Sequence, residues 1–230
     1  MDIEILRELG AKPSVSEERG LAQVRETDLM IFSPGISTAG FAEIRMARQN
    51  PSRKVIATTI DVKGLEFARD VIKQVGLEGQ IETRDEDLRS EWNYPDNFFD
   101  FIYARLVLHY LSAQDLDKVL AGFERSLKPG GRTFIVVRSE KNVNKDDPNN
   151  SYDSETKLTT VSYRRKDGTV EGTGSRYFHT PESIGDHVKN AGLQIENVEE
   201  YQERLYKDFM RREVSPREDR VIELIASKAK

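Results

Sequence analysis

Residues Asp96 to Val137 read DNFFDFIYARLVLHYLSAQDLDKVLAGFERSLKPGGRTFIVV, and this stretch decides the fold. The apolar run at 98–104 predicts a buried strand, and the run at 132–137 predicts another. Between them, apolar residues recur at helical spacing from Leu116 to Leu127, with Ser112 as the expected N-cap. A strand, a helix and a second strand predict a βαβ unit with parallel strands.

The same alternation continues on both sides of this unit. Upstream apolar runs predict strands at 29–33, 54–60 and 80–84, with a helix between the second and third. Downstream, Thr180 and Pro181 open a further helix as N-cap and first-turn proline. The runs at 193–202 and 221–228 predict two last strands that close as an antiparallel pair. We therefore expect an α/β fold of three layers, with a seven-stranded, mostly parallel sheet and an antiparallel last strand.

Two segments stand outside this alternation. At the N-terminus, residues 1–26 predict two helices, the second opened by a capping-box pattern of Ser14 and Glu17. Residues 139–178 predict an inserted polar loop followed by a β-hairpin, because Asp167–Gly168 joins two β-prone runs. We expect residues 1–230 to form a single domain with these additions.

Composition narrows the classes of function. The 230 residues carry a net charge of −5, which disfavours a nucleic-acid partner, and include no cysteine. Disulfides, cysteine-bound metals and a thiol nucleophile are therefore excluded, and the three scattered histidines predict no metal site. No signal-like start or run of about 20 apolar residues occurs, so we expect a cytoplasmic protein without membrane contact. The oligomeric state stays open.

The stretch MIFSPGISTAGFA (30–42) has the layout of a nucleotide-binding turn. An apolar strand ends at Ser33, a small-residue turn follows, and helical spacing begins at Phe41. Such turns place helix N-terminal amides against a phosphate or carboxylate, and glycines let the ligand approach the backbone. Only Gly35 and Gly40 are present, so the turn alone is a weak indication of a ligand.

Three phrases make the chain similar to a known family. Phe99-Asp100, the LHYL phrase from Leu108 to Leu111, and LKPGG from Leu127 to Gly131 occur in the order and spacing of class I S-adenosylmethionine (SAM)-dependent methyltransferases. The resemblance covers about residues 25 to 230 and implies a Rossmann-like methyltransferase fold, SAM as cofactor and methyl transfer. No phrase like Asn-Pro-Pro-Tyr follows the fourth strand, so a small-molecule acceptor is expected.

The resemblance also implies roles for individual residues. Asp61 corresponds to the acid that holds the ribose hydroxyls, and Asp85 to the one that meets the adenine amine, with Glu86 contributing backbone. Ala104 and Arg105 correspond to positions near the methionine part of SAM. Asp61 could instead cap the following helix, Asp85 could be a surface charge in a turn, and Arg105 could pair with an acid.

Two residues after the fourth strand are candidates for a catalytic base. His109 and Tyr110 follow this strand, near the position towards which the resemblance directs the transferred methyl group. A base is needed only when the acceptor must lose a proton. For His109 the alternative is a partly buried residue with no role in the chemistry.

The glycine-rich turn departs from the family pattern. Ile31 stands where the family has an aspartate, and Ser33, Gly35 and Ser37 occupy its three glycine positions. The serine hydroxyls could donate hydrogen bonds to the carboxylate of SAM. Two hypotheses follow: either SAM binds in a modified way and methyl transfer continues, or the chain is a methyltransferase-like protein that binds SAM or a partner without catalysis.

Overall fold

The computed structural model describes residues 13–36, 38–143, 147–164, 170–206 and 214–230. The α-helices are α1 (Val15–Gln23), α2 (Phe41–Gln49), α3 (Val62–Gln74), α4 (Ala113–Ser126) and α5 (Pro181–Asn190). The strands are β1 (Met30–Pro34), β2 (Lys54–Thr59), β3 (Ile81–Asp85), β4 (Phe99–Arg105), β5 (Leu127–Arg138), β6 (Ser151–Tyr152), β7 (Thr159–Arg164), β8 (Val170–Arg176), β9 (Gln194–Tyr206) and β10 (Val214–Ser227).

Seven strands form one sheet in the order β3-β2-β1-β4-β5-β10-β9. The pairs among β1 to β5 are parallel, whereas β10 is antiparallel to both β5 and β9. The strand order reverses at β1 and β4, whose carboxyl ends therefore flank a crevice that no crossover helix covers. The predicted sheet with a single antiparallel strand is confirmed.

Helices cover both faces of this sheet. Side chains alternate along β1, so Ile31 packs on one face and Phe32 on the other, and both are fully buried. The Phe32 face packs against Phe123 of α4 and Ile184 of α5, and the Ile31 face packs against residues of α2 and α3. The three-layer architecture follows from the continuous apolar runs of strands that are buried on both sides.

A second, smaller sheet occupies the insertion. It has the order β6-β7-β8, with antiparallel pairs throughout. The predicted hairpin corresponds to β7 and β8, and its expected tip at Asp167–Gly168 lies outside the described residues. The third strand, β6, was not predicted because only two of its residues pair.

The predicted helix caps have mixed outcomes. Thr180 and Ser183 form a reciprocal capping box on α5, and the Ser112 hydroxyl accepts a hydrogen bond from the backbone of α4. Ser14 is the N-cap of α1, but its side chain makes no capping bond and instead accepts a hydrogen bond from Arg105. The expected Ser14–Glu17 capping box was wrong because a tertiary contact takes the hydroxyl.

Candidate cofactor site

A cavity of about 400 Å³ opens at the carboxyl ends of β1, β2 and β4. Its wall is made by the segments that follow four neighbouring strands, which the chain brings together from well-separated positions. The lining residues are Gly35, Ile36, Thr58, Thr59, Ile60, Asp61, Glu86, Asp87, Leu88, Arg89, Leu106, Val107, Tyr110 and Leu111. A crevice at this edge of a doubly wound sheet is the usual ligand position in such folds.

The turn after β1 is held closed by the neighbouring strand. Gly35 has φ +72°, and the N–H groups of Gly35 and Ile36 both donate to the carbonyl of Thr58, at 2.7 and 2.8 Å. A Cβ on Gly35 would lie 2.7 Å from the Val107 side chain. Glycine is therefore required here by its backbone conformation and by Val107, and the two amides are already used within the protein.

The first serine of the turn does not face this cavity. The Ser33 side chain is buried, and its hydroxyl donates to Glu43 Oε1 of α2 at 2.6 Å. The expectation that Ser33 contacts the cofactor is therefore corrected, because a buried carboxyl group takes its hydroxyl. Ser37, the second expected serine, lies outside the described residues.

Asp61 is placed so that it can serve both as a helix cap and as a ligand of the ribose. Its Oδ1 accepts a hydrogen bond from Gly64 N at 3.1 Å, which makes it the N-cap of α3, and it also borders the cavity. The last residue of β2 is Thr59, two positions earlier. The capping role is observed, and the ribose-binding role stays a prediction.

After β3, Glu86 borders the cavity and Asp85 does not. Asp85 is an exposed residue at the end of the strand. The Glu86 carboxylate accepts a hydrogen bond from Tyr94 OH at 2.7 Å, and burial together with this bond raises the pKa of Tyr94. Tyr94 is therefore a protonated donor at neutral pH that holds Glu86 in place. The structure thus places Glu86, and not Asp85, on the cavity wall, and the adenine-binding role stays a prediction.

Two further acid–base neighbours complete this part of the wall. Arg89 Nη2 lies 2.6 Å from Asp87 Oδ2, and this hydrogen bond lowers the pKa of the Asp87 carboxyl group. The pair is internally neutral, so the remaining acids on the wall, Asp61 and Glu86, leave it negatively charged. Such a wall favours a cationic ligand or a donor of hydrogen bonds.

After β4, the residues that border the cavity lie further along the chain than the sequence predicts. Ala104 is fully buried in the core, and Arg105 donates to Ser16 Oγ at 2.7 Å, away from the cavity. The cavity wall is instead formed by Leu106, which has φ +56°, and by Val107. The expectation that Ala104 and Arg105 line the methionine end is corrected, since the unusual backbone at Leu106 redirects the chain.

The two candidate bases, Tyr110 and His109, lie in different environments in the structure. Tyr110 borders the cavity and is 54% exposed. His109 is buried, and its ring nitrogens have no hydrogen-bond partner among the described residues. Burial lowers the pKa of His109 well below its usual value, and the charges of Arg138 and Arg176 lower it further. His109 is therefore neutral and does not border the cavity, so the structure does not place it where a base would act on a ligand bound there.

Several lining residues were missed from the sequence. Thr58 and Thr59 end β2, and Leu88 follows β3, so the rule that ligands bind at carboxyl ends of parallel strands could have found them. Thr58 Oγ1 is buried and has no hydrogen-bond partner within the described part of the chain.

In that same part, no group of three or more His, Asp or Glu residues is placed to hold a metal, and no helix is long and apolar enough to cross a membrane.

Comparison with known proteins agrees with this geometry. The family described as "Methyltransferase domain" matches residues 34–135, from the last residue of β1 into β5. A curated relative, the ubiquinone/menaquinone biosynthesis C-methyltransferase UbiE of Francisella tularensis, is 35% identical over 87 residues. That match covers 38% of this chain and 34% of the relative, so the chain matches only about a third of the length of such relatives.

Solved structures share the whole fold at low sequence identity. A SAM-dependent methyltransferase from Methanosarcina mazei has a TM-score of 0.68 at 18% identity, covering 90% of this chain and 95% of its own. The [4+2]-cyclase SpnF has a TM-score of 0.62 at 18% identity, covering 93% and 80%. The fold is therefore that of SAM-dependent methyltransferases, and proteins of this fold also catalyse another reaction.

The sheet order is that of a Rossmann-like methyltransferase fold. Residues 34–135, less than half of the chain, match this methyltransferase domain family, and the described residues share the fold of a SAM-dependent methyltransferase. The family's cofactor is SAM, and the cavity fits its adenosine part: the Asp61 and Glu86 carboxylates can accept hydrogen bonds, and Ile60 and Leu88 offer apolar surface. Thr58 Oγ1 is a buried polar atom that still lacks a partner at this wall.

Proposed function

We propose that this protein is a methyltransferase that uses SAM to methylate a small-molecule acceptor. The observation that carries the proposal is the acidic cavity at the switch point of the sheet, with Asp61 and Glu86 on its wall. The relatives support it, since UbiE is by name a C-methyltransferase of quinone biosynthesis. A cytoplasmic location and the absence of nucleic-acid partners belong to the same proposal.

The residues of this chain would bind and shield the cofactor. SAM supplies an already activated methyl group on its sulfonium, so the protein's task is to position the two reactants and exclude water. Glu86, fixed by Tyr94, and Asp61, fixed by the α3 N-terminus, would accept hydrogen bonds from the adenosine part. Tyr110 borders the same cavity and is the one expected base that the structure leaves next to it.

Calorimetry with SAM and with S-adenosylhomocysteine tests the cofactor half of the proposal. Both should bind at one site per chain. Incubation of the protein with SAM and a panel of phenols, amines and carboxylic acids should then yield a methylated product that mass spectrometry detects. The absence of binding to both nucleosides would overturn the proposal.

A second function is favoured by one observation, the closed turn after β1. The amides of Gly35 and Ile36 are bonded to Thr58, and Val107 occupies the space above Gly35. This region would have to rearrange to take the methionine end of SAM in the usual way. A protein that binds SAM without transferring its methyl group is the alternative. Tight binding of SAM with no product from any acceptor of the panel would establish it.

A further inference from the structure

A second cavity, of about 570 Å³, lies where the small sheet meets the segment that follows β5. The post-β5 segment contributes Glu140, the small sheet and its loops contribute Tyr152 and Lys157, and the segment after β8 contributes Tyr177 and Phe178. The insertion that the sequence sets apart from the rest of the fold thus builds most of a concave site of ligand size.

This second cavity adjoins the wall of the first. Tyr177 N donates to the His109 carbonyl at 2.8 Å, and Tyr177 lines the second cavity. The guanidinium of Arg176 lies 5.1 Å from the centre of the Tyr110 ring, which lines the first. Residues 109–110 and 176–177 are therefore packed together between the two cavities, so a ligand of the second would lie next to a cofactor in the first.

The aromatic lining selects for a flat ring. Tyr152 is 60% exposed although its side chain is large and mainly apolar. Tyr177 is fixed, because its hydroxyl is 3.1 Å from His187 Nε2 and its ring packs 3.9 Å from the His179 ring. Burial raises the pKa of Tyr177, so its phenol is neutral at physiological pH. A ring bound against these tyrosines would cover aromatic surface that is now exposed.

A lysine supplies the charge of the site. Lys157 is exposed and makes no ion pair with any carboxylate among the described residues. Its φ of +62° is uncommon for a residue with a side chain. Glu140, the one carboxylate among the described lining residues, is on a different element, the turn after β5. The ammonium of Lys157 is thus available to an anionic group of a ligand.

We propose that the second cavity binds an aromatic carboxylate, with its ring against Tyr152 and Tyr177 and its carboxylate on Lys157. The inference rests on the proposed function, because it names the class of acceptor that such an enzyme would take. It goes beyond that function in assigning the acceptor site to the inserted sheet.

The test compares three aromatic acids with neutral partners of the same ring. Benzoate, 4-hydroxybenzoate and indole-3-acetate are titrated by calorimetry against the corresponding alcohols, with and without S-adenosylhomocysteine. At least one acid should bind about tenfold more tightly than its alcohol, as a charged hydrogen bond would give. Lys157→Met should abolish this preference and Lys157→Arg should keep it. Tyr152→Ala should weaken the binding of acid and alcohol alike.

Lys73→Met, at an exposed lysine of α3 remote from the cavity lining, is the matched control and should bind as the unmodified protein does. The inference is overturned if none of the three acids binds, or if Lys157→Met keeps the full preference for the acid. S-adenosylhomocysteine binding is measured in parallel. Failure of both S-adenosylhomocysteine and SAM to bind, with acid binding intact, would refute the proposed function and leave the aromatic site standing.

Discussion

The hydroxyl of Ser33 donates a 2.6 Å hydrogen bond to Oε1 of Glu43, and both side chains are buried next to the turn that follows β1. This bond joins the end of β1 to α2, the two elements that a nucleotide-binding turn must hold in place. Serine therefore serves the protein core at a position where the family has a glycine beside the ligand.

Replacing Ser33 should affect stability and leave cofactor binding intact. Ser33→Ala removes a donor from a buried carboxyl group, so the free energy of unfolding should fall by about 1–3 kcal/mol. The affinity for S-adenosylhomocysteine should stay within about twofold. Urea denaturation and calorimetry measure the two quantities. Ser90→Ala, at an exposed serine, is the control and should alter neither. A large loss of affinity with unchanged stability would show that Ser33 contacts the ligand.

Two substitutions at Asp61 can distinguish its role as a helix cap from a role in ligand binding. Asn is as good an N-cap as Asp, so Asp61→Asn should keep the stability of α3, whereas Asp61→Ala should cost about 1 kcal/mol. If the carboxylate holds the ribose, both variants should bind S-adenosylhomocysteine about tenfold more weakly. Binding by Asp61→Asn at the level of the unmodified protein would restrict Asp61 to its capping role.

Glu86 and Asp85 are adjacent in sequence, but we expect only Glu86 to contribute to SAM binding. Glu86→Gln should weaken the binding of SAM by about tenfold, because Glu86 borders the cavity and is positioned by Tyr94. Asp85→Asn should leave the affinity within about twofold, since Asp85 is exposed and off the cavity wall. Calorimetry on the two variants decides the matter. The reverse order of effects would restore Asp85 as the adenine-facing acid.

Gly35 should tolerate no side chain. Gly35→Ala combines a left-handed φ with a contact to Val107 at 2.7 Å, so the free energy of unfolding should fall by more than about 2 kcal/mol. Gly76→Ala isolates the first effect, since Gly76 has φ +69° and nothing within 4 Å of an added Cβ. That variant should lose only about 1 kcal/mol. Equal losses at the two positions would mean that Val107 moves aside freely.

The buried histidines should make stability depend on pH. Burial lowers the pKa of His179 to about 3, so the unfolded chain binds more protons than the folded one below about pH 6.5. The stability that neutral His179 contributes is complete above that pH and is lost as the pH falls towards 3. From pH 7.5 to 5.5 the loss should be about 1.4 kcal/mol from this residue.

Urea denaturation at the two pH values measures that loss. His179→Gln should reduce the difference in unfolding free energy between pH 7.5 and 5.5 by about 1.4 kcal/mol, because Gln does not titrate. His109→Gln should act in the same direction, since burial also lowers the pKa of His109. An unchanged pH dependence in both variants would mean that the imidazoles are hydrated or protonated in the folded protein.

The fold was predictable from local patterns. The apolar runs that became β1, β2, β4 and β5, and the helical spacing of α4, are each contained in short segments. Strands buried on both faces and amphipathic helices leave few other architectures for one chain, so a mostly parallel sheet closed by an antiparallel strand followed. The insertion was also recognised, although the short β6 was not, because two residues carry no periodic signal.

The sequence by itself determined the sheet and the edge of the sheet where a ligand would bind, because hydrophobic periodicity and turn residues act over short distances in the chain. Only the tertiary structure decided which side chains face that edge. The Ser33 hydroxyl donates to Glu43 and so does not face the cavity. Arg105 donates to Ser16, which is 89 residues distant in the chain. Leu106 and Val107 line the cavity where Ala104 was expected. These directions depend on hydrogen-bond partners and close contacts that form only when the elements pack together, so no local pattern records them.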